Sequence, residues 1–486
     1  MKTNLTKSII VLSLIINLVF AQPYKVYTGL LHAHSSISDG SGTPEEAYKM
    51  AKQAGLNFFA LTEHNHIQAD GTGERKDGIL IAKDHNLYNG SRNVSVITSG
   101  GNTVVIKPLI KAAKDATTET FLALYGQEFS TISSGNHVNV LGIDNVLTIE
   151  NGNYKSLAEL LDNLKADGKK VPVLQLNHPG VTADIFAKNP NSESFNDYGI
   201  DKGDLGPHFE NLIKRLDPYV GLIEILSGPA LTKIIPPNYH YDETHENDYF
   251  FYLKQGFHIS PSAGQDNHYY NWGSGTDARV GVLAKTLTEK DLFEAFNNNR
   301  TFATDDKNLS GYFKANGNIM GSSITANEDS ELEIDFTIED KDEVNSEYTV
   351  YVYGSAIKAE LSTEATKSLA KEGLLTQVTV NGNGTFKIKG IYVPDGPAFV
   401  YFKIVQADGG RLWTAPVWLN YPSLPSVPAM HNSAEIYYWS KSSTSKVYHK
   451  RDCSSVKMIK SENIEQGTTP PAGRTLHTCN TQEEEH

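Results

Sequence analysis

The chain has 486 residues, 39% of them hydrophobic, including 24 tyrosines and 19 phenylalanines. That is enough apolar side chain for a large core, and the length allows about three domains. A formal net charge of −14 argues against a chain built mainly to coat nucleic acid, and having only Cys453 and Cys479 leaves the long N-terminal part without disulfides or thiolate ligands.

Residues 1–21 read as a signal peptide. Lys2 and Lys7 make a positive start, residues 9–20 form an apolar run short for a bilayer span, and Val19 and Ala21 precede a cleavage point after Ala21. No later stretch is long and apolar enough for a membrane helix, so the mature chain is expected to be secreted or periplasmic.

Next, an apolar run over residues 27–31 leads into His32-Ala33-His34, with Asp39 a short turn later. Side chains alternate along a strand, so both imidazoles face one way and can share a metal ion. Thr43-Pro44-Glu45-Glu46 opens a helix: Thr43 caps it, Pro44 suits the first turn and Glu46 completes a capping box. Ala47, Met50, Ala51 and Ala54 share one face, and Gly55 ends the helix. A second burst follows, Phe58-Phe59-Ala60-Leu61 running into Thr62-Glu63-His64-Asn65-His66. Residues 67–102, rich in Gly, Asn and Ser, read as an insertion or lid. Apolar runs at 122–125, 138–143, 171–176 and 220–226 alternate with helices opened near Ser156 and Thr288. Strand, helix, strand in this order suggests a parallel α/β fold.

Polar residues cluster where these runs end. Residues 122–125 give way to Gly126-Gln127-Glu128, His137 opens the next run, residues 171–176 end in Asn177-His178-Pro179-Gly180, and Gln265-Asp266-Asn267-His268 follows later. In a barrel of parallel strands the C-terminal ends gather at one mouth, where catalytic residues are found.

The order HxHxxxxD, xEHN, GxE, a lone His, NHPG and DxH resembles the PHP (polymerase and histidinol phosphatase) superfamily, most of all an exported branch of carbamate-hydrolase-like enzymes. The likeness spans roughly residues 26–305. It implies a distorted (β/α)7 TIM-like barrel over residues 22–308, with two or three divalent ions (Zn, Mn or Fe) at its mouth. Carried over residue by residue, His32 and His34 would hold the first ion with Asp266, and Glu128 would bridge. His137 and His178 would hold the second, while Asp39, His64 and His268 would form a third site. The family usually has Asp where Glu63 stands. Glu63 and Glu224 are expected to support the site from behind the ligands.

After residue 309 the texture turns all-β. Alternating runs at 331–336, 348–353 and 399–405, with an Asn381-Gly382 turn, read as an immunoglobulin-like sandwich over residues 309–421. A Pro-rich linker (422–433) leads to a small tail module (434–486). The tail is similar to a small HxxxC…CxxC zinc module found in some DNA-repair proteins, although Gln482 stands where a cysteine is expected. His449, Cys453, His477 and Cys479 would then make a structural zinc site; a Cys453–Cys479 disulfide is the competing reading. Lysines and Arg451 in this tail could contact nucleic acid, or simply form a solvated charged face.

The functional expectation is an exported metal-dependent hydrolase, a phosphoesterase using a metal-bound hydroxide on a small-molecule or polymeric phosphoester. The alternatives are an amidase or carbamate hydrolase on the same site, and an inactive polymer- or nucleic-acid-binding protein. His66 and Arg279 are candidate substrate contacts; for His66, a partly exposed strand-end histidine is an equal reading.

Overall fold

The computed structural model describes residues 24–64, 71–74, 80–83, 86–98, 100–129, 137–147, 154–179, 216–233, 244–357, 373–424, 437–450, 455, 459–460, 463–467 and 470–477. The expected signal peptide, His66, Cys453 and Cys479 lie outside them.

The N-terminal part is mixed α/β. Its main strands are β1 (Lys25–Leu30), β2 (Phe58–His64), β7 (Leu122–Phe129), β8 (Val138–Leu141), β9 (Val173–Leu176), β10 (Val220–Leu226), β11 (Ser260–Ala263), β12 (Arg279–Ala284) and β13 (Thr301–Thr304). Two hairpins intervene, β3–β4 (Gly71–Glu74, Leu80–Lys83) and β5–β6 (Val94–Ile97, Thr103–Ile106). The sheet runs β11-β10-β9-β8-β7-β2-β1-β12-β13. β11 also packs against β12 and β13, and Thr301 donates to the Pro261 carbonyl at 2.7 Å, so the strands curl back on themselves around a core.

A parallel α/β arrangement was expected, and the structure shows a mixed sheet. β8 is antiparallel to both β7 and β9, and β12 is antiparallel to both β1 and β13. Residues 130–137 are all that link β7 to β8, fewer than the dozen or so that a parallel crossover needs. A strand following so directly on its neighbour turns back rather than crossing over. This reversal matters for chemistry: Val138 pairs with Phe129, so His137 at the start of β8 sits beside the C-terminal end of β7.

Helices α1 (Pro44–Gln53), α2 (Asn86–Asn89), α3 (Leu109–Ala116), α4 (Tyr154–Ala166), α5 (Glu246–Lys254) and α6 (Glu289–Asn297) accompany the strands. α1 carries the expected capping box, Thr43 accepting from the Glu46 amide while Glu46 accepts from the Thr43 amide. Leu87, Tyr88 and Val96 of the inserted segment are buried in the main core, so these parts of the insertion are packed structure.

β14 (Leu309–Ala315), β15 (Asn318–Ile319), β17 (Ile334–Asp340) and β20 (Gly384–Ile388) form a second sheet in the order β15-β14-β17-β20. It faces β16 (Ser323–Ile324), β18 (Glu347–Ala356), β19 (Leu374–Asn381), β21 (Ala398–Gln406), β22 (Arg411–Thr414) and β23 (Val417–Leu419) across a shared apolar core that includes Phe313, Phe336 and Phe402. β22 hydrogen-bonds to β13, so the first sheet continues into this layer. In the tail, β24 (Tyr437–Ser440), β25 (Val447–Lys450), β26 (Ile464–Gly467) and β27 (Thr475–Leu476) make a small sheet in the order β26-β24-β25-β27. Among the described residues no helix is long and apolar enough to cross a membrane.

Candidate metal centre

The register of the sheet gathers the polar residues. β2 and β7 run parallel with His64 opposite Glu128, so their side chains leave the same face at adjacent strand ends. β1 hands on to His32 and His34, and the Ala33–Asn267 bridge brings residues 266–268 alongside them. His34 donates its main-chain N–H to Asn267, Asp266 donates to the His32 carbonyl, and the Trp272 indole donates to the His34 carbonyl at 2.9 Å.

Glu128 lies at the centre and is almost completely buried. Its Oε1 is 3.0 Å from His32 Nε2, 3.0 Å from His137 Nδ1 and 3.4 Å from His178 Nε2. Its Oε2 is 3.2 Å from His34 Nε2 and 3.1 Å from His64 Nδ1. Asp266 Oδ1 is 2.9 Å from His34 Nε2 and 3.2 Å from His32 Nε2. On the other side, Asp39 Oδ1 is 3.3 Å from His268 Nε2 and 3.6 Å from His64 Nε2.

Three overlapping groups result, each with its donor atoms within 4.8 Å of one another: His34, Asp39, His64 and His268; His32, His34, Glu128 and Asp266; and His64, Glu128 and His137. His178 borders the last two through Glu128. The donors fit divalent transition ions, being imidazole and carboxylate without thiolate. A second observation supports the fit. Buried Glu128 Oε2 and Asp39 Oδ1 make no hydrogen bond of acceptable geometry although imidazole nitrogens stand within 3.6 Å. Lone pairs that converge on a common point, rather than on each other, give this pattern.

Electrostatics in the bare cluster are strongly coupled. Burial would depress His34, but the Asp266 carboxylate, which accepts from its Nε2, and the nearby charge of Glu128 outweigh it and hold the imidazole up at about 10. Burial and the neighbouring His34 push His64 down to about 3. Glu128 and Asp266 are held well below the usual carboxylate range; burial opposes this, and the surrounding histidines, His32 foremost, override it.

Behind the cluster, Glu224 Oε1 is 2.8 Å from His32 Nδ1, and Oε2 accepts the His178 main-chain N–H at 2.7 Å. One carboxylate therefore orients one imidazole and the backbone of another. Sequence reading did not single out the chain that continues from it. Gln175 donates to Asn177 and Glu224, Ser262 donates to Gln175, and Asn177 donates to Glu128 Oε1 at 2.9 Å. The available signal was Gln175 itself, an amide inside an otherwise apolar strand.

Glu63 stands behind the site but acts on the backbone rather than on an imidazole: it accepts hydrogen bonds from the main chain and hydroxyls of Ser35 and Ser38 and holds the turn that carries Asp39. The reason is strand alternation, since a residue adjacent to His64 must leave the opposite face. One expectation needs correction. Arg279 is buried, and its guanidinium donates to the carbonyls of Gly273, Thr276 and Ala278, which makes it a post for that loop. In the tail, the His449 and His477 rings lie 4.9 Å apart.

No protein-family model and no curated protein matches the chain. Among solved structures, it is similar to a two-domain protein containing a predicted PHP-like metal-dependent phosphoesterase from Bacteroides vulgatus. Identity is 16%, coverage 81% of this chain and 96% of that one, and TM-score 0.40. It is also similar to an amidohydrolase from Chromobacterium violaceum with bound sulfate and no metal, at 17% identity, 50% and 87% coverage, and a TM-score of 0.25. At these scores the overlap is partial, and the chemistry must be argued from the side chains.

Proposed function

We propose that this chain is a metal-dependent hydrolase of the PHP kind, acting on phosphoesters. The observation that carries the reading is the set of three overlapping imidazole–carboxylate groups that share His34, His64 and Glu128. The nine residues named as ligands would hold two or three divalent ions. Such ions, when bound, lower the pKa of a coordinated water and offset negative charge on a phosphoryl or carbonyl oxygen.

The chain's own residues prepare that chemistry. Glu224 orients the His32 ring, Asn177 fixes one Glu128 oxygen, and the turn held by Glu63 positions Asp39. His137, His178 and Asp39 are the more exposed members, with side chains 22%, 27% and 30% accessible, so substrate would approach from their side. The curled sheet is read as a distorted (β/α)7 barrel, the second part as an immunoglobulin-like sandwich, and the chain as exported. A zinc or disulfide in the tail and a nucleic-acid contact there belong to the same reading.

Metal analysis of purified protein, with parallel hydrolysis of aryl phosphates and aryl carbamates, tests the proposal. Bound transition metal and phosphatase activity, both reduced in His178→Ala, are expected. Carbamate turnover alone would move the assignment to an amidase-type enzyme. Absence of both metal and turnover would leave a binding protein.

A further inference from the structure

A second acidic constellation lies away from the histidines, where the first sheet passes into the sandwich. Asp306 sits in the link between β13 and β14, Asp340 ends β17, and Glu343 stands in the turn before β18. Carboxylate oxygens of these three lie within 4.8 Å of one another. Asp340 is fully buried, and among the described residues no lysine or arginine forms an ion pair with any of the three. Main-chain amides of Asn308 and Leu309 donate to Asp306, those of Asp342 and Glu343 donate to Asp340, and the Tyr348 hydroxyl donates to Asp340 at 3.3 Å. These bonds do not supply a full counter-charge to three converging carboxylates.

Acidic residues alone would not make a site, but Gln406 adds a separate observation. Only 2% of it is exposed, and neither its amide oxygen nor its amide nitrogen has a hydrogen-bond partner. Its strand position is directly opposite Tyr348, so both side chains leave the same face, and the Tyr348 hydroxyl already reaches Asp340. Gln406 Oε1 and Asp306 Oδ2 flank the same spot, 3.4 and 3.3 Å from where a Cβ on Gly410 would stand. A buried amide oxygen left unbonded beside a carboxylate is costly unless something electropositive meets both.

We propose that Asp306, Asp340, Glu343 and Gln406 form a calcium site that ties the β13–β14 link to the ends of β17 and β21. Every donor is oxygen, which favours a hard cation over zinc. Carboxylates and a neutral amide drawn from three separate chain segments suit the loose, high coordination of calcium better than the strict octahedron of magnesium. The role is structural: the ion would clamp the joint between the two parts of the molecule.

The experiment uses the full chain with its histidine centre already loaded, and calcium chloride as the sole added ligand. Calorimetry should show saturable binding, and thermal unfolding should move up by a few degrees. Glu343→Gln and Gln406→Leu should each weaken calcium binding by about tenfold or more, with transition-metal content unchanged. Glu343 lies in a turn and Leu replaces a buried amide, so both variants are expected to fold. If the cluster is only a hydrogen-bonded group of acids, Gln406→Leu leaves calcium behaviour as in the parent. That result, or no calcium effect on the parent chain, overturns the proposal.

Discussion

Two of the clustered residues, His178 and Asp266, have positive φ angles of 27° and 50°, in the region that residues with a Cβ seldom adopt. Strain of this kind persists only where the surroundings over-determine it, and here the His178 amide is held by Glu224 and the Asp266 amide by the His32 carbonyl. Close approach imposes a further demand: a Cβ on Gly264 would stand 2.0 Å from Glu224 Oε1 and 2.7 Å from His32 Cβ. Gly264→Ala should therefore push Glu224 off His32 and weaken metal binding, as should Glu224→Gln, each by roughly 10- to 100-fold. Competition with a chromogenic chelator measures both. Protonation gives another prediction. With His34 held at about 10, the metal-free imidazole carries a proton at pH 7, and metal loading must expel it. Calorimetry in buffers of different ionisation enthalpy should show proton release at pH 7, with the His34 share fading as pH rises through about 10.

Individual elements show what the sequence could and could not carry. Helix α1 was readable from Thr43, Pro44 and Glu46 because a capping box is a contact between neighbours in the chain. Thr43→Ala should cost about 1 kcal/mol, seen as faster amide hydrogen exchange across Pro44–Gln53. The histidine-bearing strand exits were legible too, since β2, β7 and β9 end in apolar-to-polar breaks. The direction of β8 was not, because an apolar run reads alike whichever way it pairs. The partner of Glu63 was not legible for a related reason: its neighbour His64 faces the cluster, but Glu63 holds a turn 25 to 28 residues earlier.

Across the whole molecule, the expected boundary near residue 308 coincides with a change in texture but also with a continuous hydrogen-bonded sheet. β13 pairs with β22, and the main core takes in Phe399, Tyr401, Trp413 and Trp418 from beyond that boundary. Tyr249 and Phe250 of α5 pack edge-on against Tyr401 and Phe399. A chain ended after Thr304 would bare the β13 edge and this aromatic layer. It should be recovered mainly as aggregate, read as soluble yield against the full chain; a soluble, monomeric fragment that melts cooperatively would contradict the coupling.

By itself the sequence determined which residues have metal-binding chemistry and where polar side chains break out of apolar runs, because both are properties of side chains and their immediate neighbours. The tertiary structure alone decided that Glu128 lies among five histidines from four separate stretches. It also decided that Gln175 and Ser262 brace the cluster, and that Arg279 is spent on a loop. Those outcomes depend on strand order, register and direction, which are set by how distant segments pack rather than by any local pattern.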